Sequence, residues 1–160
     1  MADKSSGFQG GLVLRSLAET EDLAGRIASR LRAGDTVALN GELGAGKTTL
    51  ARAILRACGI RGDVPSPTFT LVQEYESAEL KIVHCDLYRI SDAREMDELG
   101  LDDALNESAL LIEWPERAGS RISDNALWIN IEIAGDTARR MKISGPERWA
   151  WLCGTENGPL

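Results

Sequence analysis

The sequence is poor in the residues that mark disulfide-rich, zinc-stapled or basic nucleic-acid-binding proteins. It has three cysteines, Cys58, Cys85 and Cys153, which form no Cys-x-x-Cys pair. The one histidine, His84, is the sole imidazole that could join them around a metal. An odd number of widely spaced cysteines disfavours a disulfide framework and structural zinc. We therefore expect free thiols.

Long apolar runs and excess positive charge are missing as well. The chain has no apolar stretch of about eighteen residues, which a membrane-spanning helix needs, and its start lacks the apolar core of a signal peptide. We therefore expect a cytoplasmic protein with no membrane partner. Lys and Arg number 18 against 25 Asp and Glu, for a net charge of −7. This balance disfavours strong direct binding to nucleic acid, whose phosphates are contacted mainly by Lys and Arg.

The 160 residues suit one domain with a single main site. The Gly/Ser-rich start and the end of the chain look loose. We expect a flexible N-terminus over residues 1–11, a folded domain over 12–145 and a C-terminal tail over 146–160.

Alternating strands and helices dominate the first part of the chain, and paired strands follow. Strands are predicted at 12–17, 36–39, 69–75, 81–85 and 109–112, with two alternating segments from Leu127 to Ile133 and through Met141 and Ile143. The first helix follows a capping-box pair, Ser16 and Glu19. This order predicts an α/β, three-layer P-loop NTPase-like domain with a mixed sheet, mostly parallel at its centre, and antiparallel hairpins.

A glycine-rich segment matches the phosphate-binding pattern G-x-x-x-x-G-K-[ST] at every fixed position, from Gly41 to Thr48. It lies between a predicted strand and a predicted helix, as the mechanism requires. Its glycines allow consecutive N–H groups to converge on phosphate oxygens, and the helix N-terminus adds positive charge. Lys47 would reach the β- and γ-phosphates, and the Thr48 hydroxyl would be a Mg²⁺ ligand. The segment predicts nucleotide binding.

A phosphate loop needs a carboxylate nearby to hold Mg²⁺, usually at the end of an adjacent buried strand. Glu113 ends the apolar run 109–112 and is the preferred candidate. Asp86, at the end of the more polar strand 81–85, is a second candidate, although it could equally cap a helix. Glu116 is a weaker competitor.

Three further features have no firm assignment from the residues alone. A lone histidine in a strand, such as His84, is more often structural than catalytic. Trp114 could stack near the nucleotide or close the core. The segment from Ser66 to Thr70 offers hydroxyls in a restrained backbone, as do switch segments that sense the γ-phosphate.

Taken together, four motifs in this order resemble the TsaE (YjeE) family. They are the loop from Gly41 to Thr49, Ser66-Pro67-Thr68-Phe69-Thr70, His84-Cys85-Asp86-Leu87-Tyr88-Arg89 and Glu113-Trp114-Pro115-Glu116. The resemblance implies an ATP-binding protein that works with the TsaB and TsaD proteins to make N6-threonylcarbamoyladenosine in tRNAs that read ANN codons. In that family TsaD performs the transfer, so the activity implied here is that of a weak, Mg²⁺-dependent accessory ATPase.

The resemblance also implies roles for particular residues. Thr48 and Glu113 would bind Mg²⁺, and Lys47, Asp86 and Glu113 would be the catalytic residues, Asp86 lying near the γ-phosphate. The residues implied to contact the nucleotide are Thr20, Gly44, Ala45, Gly46, Lys47, Thr48, Thr49, Asp86 and one of Arg139 and Arg140. Helix capping explains Thr20 about as well, and the two adjacent arginines cannot be separated from the sequence.

Two other classes of protein share the loop. A small-molecule or nucleotide kinase would usually carry an arginine-bearing lid, and no such segment is found. A GTPase would carry an Asn/Thr-Lys-x-Asp motif, which does not occur. ATP and Mg²⁺ are therefore the expected cofactors.

Overall fold

A mixed β-sheet forms the centre of the computed structural model, which describes residues 7–64 and 71–153. The strands are β1 Gly7–Leu14, β2 Thr36–Gly41, β3 Val72–Glu76, β4 Lys81–Asp86, β5 Ser108–Glu113, β6 Leu127–Ile133 and β7 Arg139–Pro146. The α-helices are α1 Leu17–Ala28, α2 Lys47–Ala57 and α3 Leu101–Ala104, and 3-10 helices cover Ala93–Leu99, Pro115–Arg121 and Glu147–Cys153.

The strands lie in the order β1-β7-β6-β2-β5-β4-β3. The four central strands are parallel, since β2 pairs in parallel with β5 and β6, and β4 pairs in parallel with β5. The outer pairs β3–β4, β6–β7 and β1–β7 are antiparallel. This topology confirms the predicted mixed sheet with a parallel centre and antiparallel hairpins.

Apolar side chains cover both faces of the sheet, as the three-layer prediction requires. In β5, Ala109 and Leu111 join a large cluster with α1 and α2, whereas Leu110 and Ile112 point to the other face. There they pack with residues of the 3-10 helices at 93–99 and 115–121 and of α3. The alternation follows from the two-residue period of a strand, and because both faces are covered, β5 is an uninterrupted apolar run.

Helix α1 begins where the capping signal predicts. The Ser16 hydroxyl accepts from the Glu19 N–H at 3.2 Å, and the Glu19 carboxylate accepts from the N–H of Arg15. The strand before it ends at Leu14 rather than at the predicted Leu17, and the extended Ser16 is the N-cap of the helix. Leu17 is the first residue of α1.

The structure differs at both ends from the expected loose segments. Strand β1 begins at Gly7 and pairs with β7 along its whole length, so residues 7–11 are strand rather than flexible. Glycine is a poor strand former, which hid this element from sequence analysis. At position 10, however, glycine is needed, because a Cβ at Gly10 would lie 2.4 Å from the Cys153 sulfur.

Residues 147–153, which follow β7, form a 3-10 helix, whereas the sequence predicted a tail from residue 146. The 3-10 helix Glu147–Cys153 buries Trp149 and Leu152 in the large cluster. The Arg26 guanidinium donates to the Leu152 carbonyl at 2.6 Å, which holds the segment against α1. Five of the seven residues of this segment, from Trp149 to Cys153, are apolar, which is the signal that the predicted tail left unused.

The predicted switch segment Ser66–Thr70 lies outside the described residues, as do the first residues of the strand predicted at 69–75. All three cysteines are free, as expected. Within residues 7–64 and 71–153 no helix is long and apolar enough to cross a membrane.

Candidate functional site

Three adjacent parallel strands, β2, β5 and β4, end at the same edge of the sheet. The predicted site residues lie close together at this edge. Leu39 of β2 is in register with Glu113 of β5, and Glu113 is in register with Asp86 of β4. Since β2 runs into Gly41, the first glycine of the loop, both carboxylates lie beside the loop. In open parallel sheets, this carboxyl edge is where ligands bind.

The glycines of the loop have specific conformational roles. Gly44 and Gly46 have φ angles of +83° and +116°, a region that side-chain-bearing residues avoid. No atom lies within 4 Å of a Cβ built at either position, so both face open space. At Gly41, by contrast, a Cβ would lie 2.7 Å from the Ile131 carbonyl oxygen, and only glycine fits.

Helix α2 starts directly after the loop without a side-chain cap. Its N-cap is Gly46, which makes no side-chain capping bond within the described residues, and its first turn includes Thr48 and the exposed Thr49. An uncapped helix N-terminus beside a glycine loop leaves main-chain donors and the positive end of the helix dipole for an anion. Both features fit a phosphate group.

Lys47 lies buried within the loop. Its ammonium donates to the Gly41 carbonyl at 2.5 Å and to the Glu42 carbonyl at 3.0 Å, and lies 3.9 Å from the centre of the Trp114 ring. Burial lowers the pKa of this ammonium, while the carboxylate of Glu113 and other nearby acids oppose that shift. The positive charge thus lies inside the glycine-rich loop, between its carbonyls and the Trp114 ring.

Thr48 and Glu113 are joined by a direct hydrogen bond. The Thr48 hydroxyl donates to Glu113 Oε1 at 2.6 Å, although the two residues lie 65 positions apart. Glu113 is only 1% exposed, so its carboxylate needs such partners to offset the loss of water. A hydroxyl and a carboxylate side by side are hard oxygen ligands of the kind that Mg²⁺ prefers. The predicted metal-binding pair is therefore assembled in the fold.

His84 contacts the same carboxylate from the other side. Its Nε2 lies 2.6 Å from Glu113 Oε2, and the imidazole is fully buried. The sequence predicted no catalytic role for His84, and its contact with Glu113 was not predicted. The signal was present, because His84 and Asp86 share a face of β4, and that face is also the face of Glu113 on the parallel neighbour.

Asp86 is buried at the end of β4. Its Oδ1 accepts from the Tyr88 N–H at 3.0 Å, and its own N–H donates to the Leu71 carbonyl at 2.9 Å. The turn fixes the carboxylate at the edge of the sheet, next to Glu113 in register. Asp86 is thus near the loop as expected, with no helix following directly that it could cap.

The structure separates the two arginines of β7. Arg139 shares a face with the buried Met141, and its Nε donates to the Ala45 carbonyl of the loop at 2.8 Å. Arg140 points the other way and pairs with Glu132 at 3.5 Å, with more than half of its side chain exposed. Arg139 is the arginine at the loop.

Thr20 and Trp114 take positions that sequence left open. The Thr20 hydroxyl donates to the Ser16 carbonyl at 3.4 Å, a local bond inside the first turn of α1, and the N-cap residue itself is Ser16. Trp114 has a left-handed backbone, with φ of 57°. Its ring covers the Lys47 ammonium and packs against Tyr88 with centroids 5.0 Å apart. Trp114 therefore borders both the loop and the smaller apolar cluster.

Comparisons with known proteins show which family this chain resembles. The family model "Threonylcarbamoyl adenosine biosynthesis protein TsaE" matches residues 14–141. A curated TsaE from Streptomyces coelicolor is 43% identical over 137 residues, covering 81% of this chain and 93% of its own. The Bacillus subtilis TsaE is 36% identical over 84% of this chain and 85% of its own. Both are named tRNA threonylcarbamoyladenosine biosynthesis proteins.

A solved structure has the same fold. The crystal structure of Bacillus subtilis YdiB superposes with a TM-score of 0.76 at 30% identity, covering 92% of this chain and 93% of that chain. The family match spans most of the folded domain and contains the loop, Asp86 and Glu113. The chain belongs to the TsaE family.

Proposed function

We propose that this chain is an Mg²⁺-dependent ATP-binding protein and weak ATPase. It supports formation of N6-threonylcarbamoyladenosine in tRNA together with TsaB and TsaD, and it is not itself the transferase. The tRNA role follows from the family, whose curated members are named for this biosynthesis. The Thr48–Glu113 hydrogen bond supports the proposal of nucleotide binding, because it brings together a hydroxyl and a carboxylate that could bind Mg²⁺, beside a glycine loop that could bind phosphate.

Different residues of the chain would bind the phosphates and the metal ion. The main-chain donors of Gly44 to Thr49 would surround the phosphates, and the Lys47 ammonium would exchange its two loop carbonyls for phosphate oxygens. Thr48 and Glu113 would hold Mg²⁺, which supplies charge neutralisation at the phosphate oxygens. Arg139 steadies the loop through the Ala45 carbonyl.

Asp86 is the proposed second carboxylate of the site. It lies in register with Glu113 on the neighbouring strand, so the two acids border the loop on one side. In this position it would orient a water molecule or act through the metal ion near the γ-phosphate. Its Oδ1 already accepts from a main-chain N–H, which fixes its direction before any ligand binds.

We expect weak ATPase activity of the isolated chain because Arg139 is already engaged in hydrogen bonds to the main chain. Arg139 donates to three main-chain carbonyls, those of Ala45, Gly135 and Ala138. An arginine that stabilises transition-state charge is worth about 10³–10⁵ in rate in other phosphate-loop proteins. We therefore expect docking on the TsaB–TsaD complex to raise hydrolysis, either by freeing Arg139 or by supplying a donor.

The proposal is tested by measuring binding to the TsaB–TsaD complex, ATP hydrolysis and multiple-turnover tRNA modification. Each is compared with ATP, ADP and a non-hydrolysable analogue. We expect binding to depend on the nucleotide, hydrolysis to rise on docking, and repeated rounds to need ATP. Equal binding and equal multiple-turnover modification with all three nucleotides would exclude a nucleotide switch. Absence of Mg²⁺-dependent ATP binding by the isolated chain would exclude the site itself.

A further inference from the structure

His84, Glu113 and Thr48 form one continuous hydrogen-bonded chain inside the protein. His84 Nε2 lies 2.6 Å from Glu113 Oε2, and Thr48 Oγ1 lies 2.6 Å from Glu113 Oε1. Each carboxylate oxygen thus has a partner of its own. His84 and Glu113 are almost entirely shielded from water, whereas Thr48 is half-buried at the start of α2. The chain therefore runs from the core to the rim of the site.

The direction of these hydrogen bonds follows from the donors available. The other ring nitrogen of His84, Nδ1, is buried and has no hydrogen-bond partner within the described residues. A proton on Nδ1 would therefore be an unsatisfied donor, which costs about 1–3 kcal/mol. The proton belongs on Nε2, so the imidazole donates to Oε2 while the Thr48 hydroxyl donates to Oε1.

This geometry restricts the Glu113 carboxylate. The last torsion of a glutamate is broad, so a carboxylate held at one oxygen can still turn. With Oε2 held by His84, Oε1 is the oxygen that faces Thr48. The backbone of His84 is fixed in turn by pairing with both neighbouring strands, and the imidazole is fully buried, which restricts the motion of the ring.

We propose that His84 is a positioning residue that orients Glu113 toward Thr48 for Mg²⁺ binding. The inference rests on the proposed function, since it deepens the assignment of Thr48 and Glu113 as the metal pair. In metal sites generally, groups that hydrogen-bond to a ligand set its orientation, and their loss costs about 10–100-fold in metal affinity or activity. A merely structural histidine would affect folding without changing the coupling between metal and nucleotide.

Three substitutions separate these roles. In His84→Gln, the amide nitrogen falls near the position of Nε2 and can still donate to Glu113. In His84→Asn, the amide nitrogen lies near the position of Nδ1 and cannot reach Glu113, although the side chain is as polar as that of His84→Gln. His84→Leu removes the donor altogether. The readout is the ratio of nucleotide affinity in Mg²⁺ to that in EDTA, measured by calorimetry, with thermal unfolding of each variant alongside.

We expect the Mg²⁺/EDTA ratio to fall about 10–100-fold in His84→Asn and His84→Leu and to stay within about threefold of the wild type in His84→Gln. Affinities in EDTA should change little in all three. The proposal is overturned if His84→Gln loses as much as His84→Leu, or if His84→Asn and His84→Leu keep the wild-type ratio. It is also overturned if affinities in Mg²⁺ and EDTA fall together.

A second measurement does not depend on nucleotide binding. Because the chain has one histidine, ¹⁵N-labelled histidine gives one pair of ring-nitrogen signals that belong to His84. We expect a protonated Nε2 and an unprotonated Nδ1 in the free protein, with the Nε2 proton signal shifted in Glu113→Gln. A proton on Nδ1, or no response to Glu113→Gln, would overturn the proposal. If the wild type binds no Mg²⁺–ATP but the spectra are as expected, the proposed function has failed and the His84–Glu113 contact stands.

Discussion

Arg139 and Ala45 lie 94 residues apart in the chain, and the arginine Nε donates to the alanine carbonyl at 2.8 Å. This bond ties the last hairpin to the middle of the phosphate loop. It is the feature that distinguishes Arg139 from its neighbour Arg140, which pairs with an exposed glutamate on the opposite face.

The two arginines offer a matched comparison. Arg139→Ala should weaken ATP binding about 10–100-fold, because a hydrogen bond from a charged group is worth about 1.5–3 kcal/mol and here it positions the loop. Arg140→Ala removes an exposed ion pair worth at most about 1 kcal/mol and should leave affinity within about twofold. Calorimetric titration with ATP distinguishes them. An equal loss in both variants would show that the Ala45 contact does not matter.

Lys47→Ala should abolish ATP binding while leaving the fold intact. The ammonium contacts the loop only through the carbonyls of Gly41 and Glu42, so the glycine backbone can keep its shape without it. Loss of two charge-assisted bonds to phosphate corresponds to about a hundredfold or more in affinity. Lys81→Ala, an exposed lysine on β4, is the control. A Lys47→Ala protein that binds ATP normally would contradict the loop assignment.

Glu113→Gln should weaken Mg²⁺-dependent hydrolysis more than metal-free nucleotide binding. The substitution preserves size and removes the charge that a cation needs. Glu116→Gln is the control, since Glu116 is exposed and acts on Lys47 only through its charge. Binding is titrated in EDTA and in Mg²⁺, and hydrolysis is followed in Mg²⁺. If both affinities fall by the same factor, Glu113 is structural.

Trp149→Ala should destabilise the protein by about 3–5 kcal/mol, the range found when a large buried aromatic side chain is removed. Trp149 is 1% exposed although it lies in the segment that the sequence predicted as a tail. Trp151→Ala, in the same 3-10 helix but half-buried, should cost less. Urea unfolding measures both. Losses below about 1 kcal/mol for both variants would show that the segment does not stabilise the core.

The three thiols should react slowly in the native protein. Burial raises the pKa of Cys58 to about 11 and that of Cys85 to about 12, against an ordinary value of 9.0. The thiolate is the reactive form, so at pH 8 a pKa of about 11 lowers its fraction about a hundredfold. Labelling with a thiol reagent should reach Cys58 and Cys153 before Cys85, which is fully buried. Rapid native labelling of Cys85 would contradict its burial.

Local patterns predicted much of the fold. The capping pair placed the start of α1, the apolar run placed β5, and the loop pattern placed the junction of β2 and α2. In each case the signal lies within a few residues of the element it specifies. The family resemblance is now supported by the family match and by the solved structure.

Features that depend on pairing could not be predicted in the same way. The contact of His84 with Glu113 needs the parallel register of β4 and β5, and β1 is a strand only because β7 provides a partner. The sequence held part of the information needed to choose between Arg139 and Arg140, because Arg139 lies two residues before the apolar Met141 and therefore on the same face of the strand. The choice also depends on which face of β7 packs against the helices, and that is decided by tertiary structure.

The parallel pairing of β2, β5 and β4 has a consequence for how the site comes into being. The loop after Gly41 and the carboxylate of Glu113 are far apart in the chain, and only the register Leu39 to Glu113 brings them together. Contacts of such long sequence separation form slowly, because the intervening chain must lose its freedom before the contact is made. In a newly synthesised chain, the proposed metal pair of Thr48 and Glu113 therefore cannot form until β5 has docked against β2. If nucleotide and metal bind as proposed, they would stabilise only the completed sheet and not the early stages of folding.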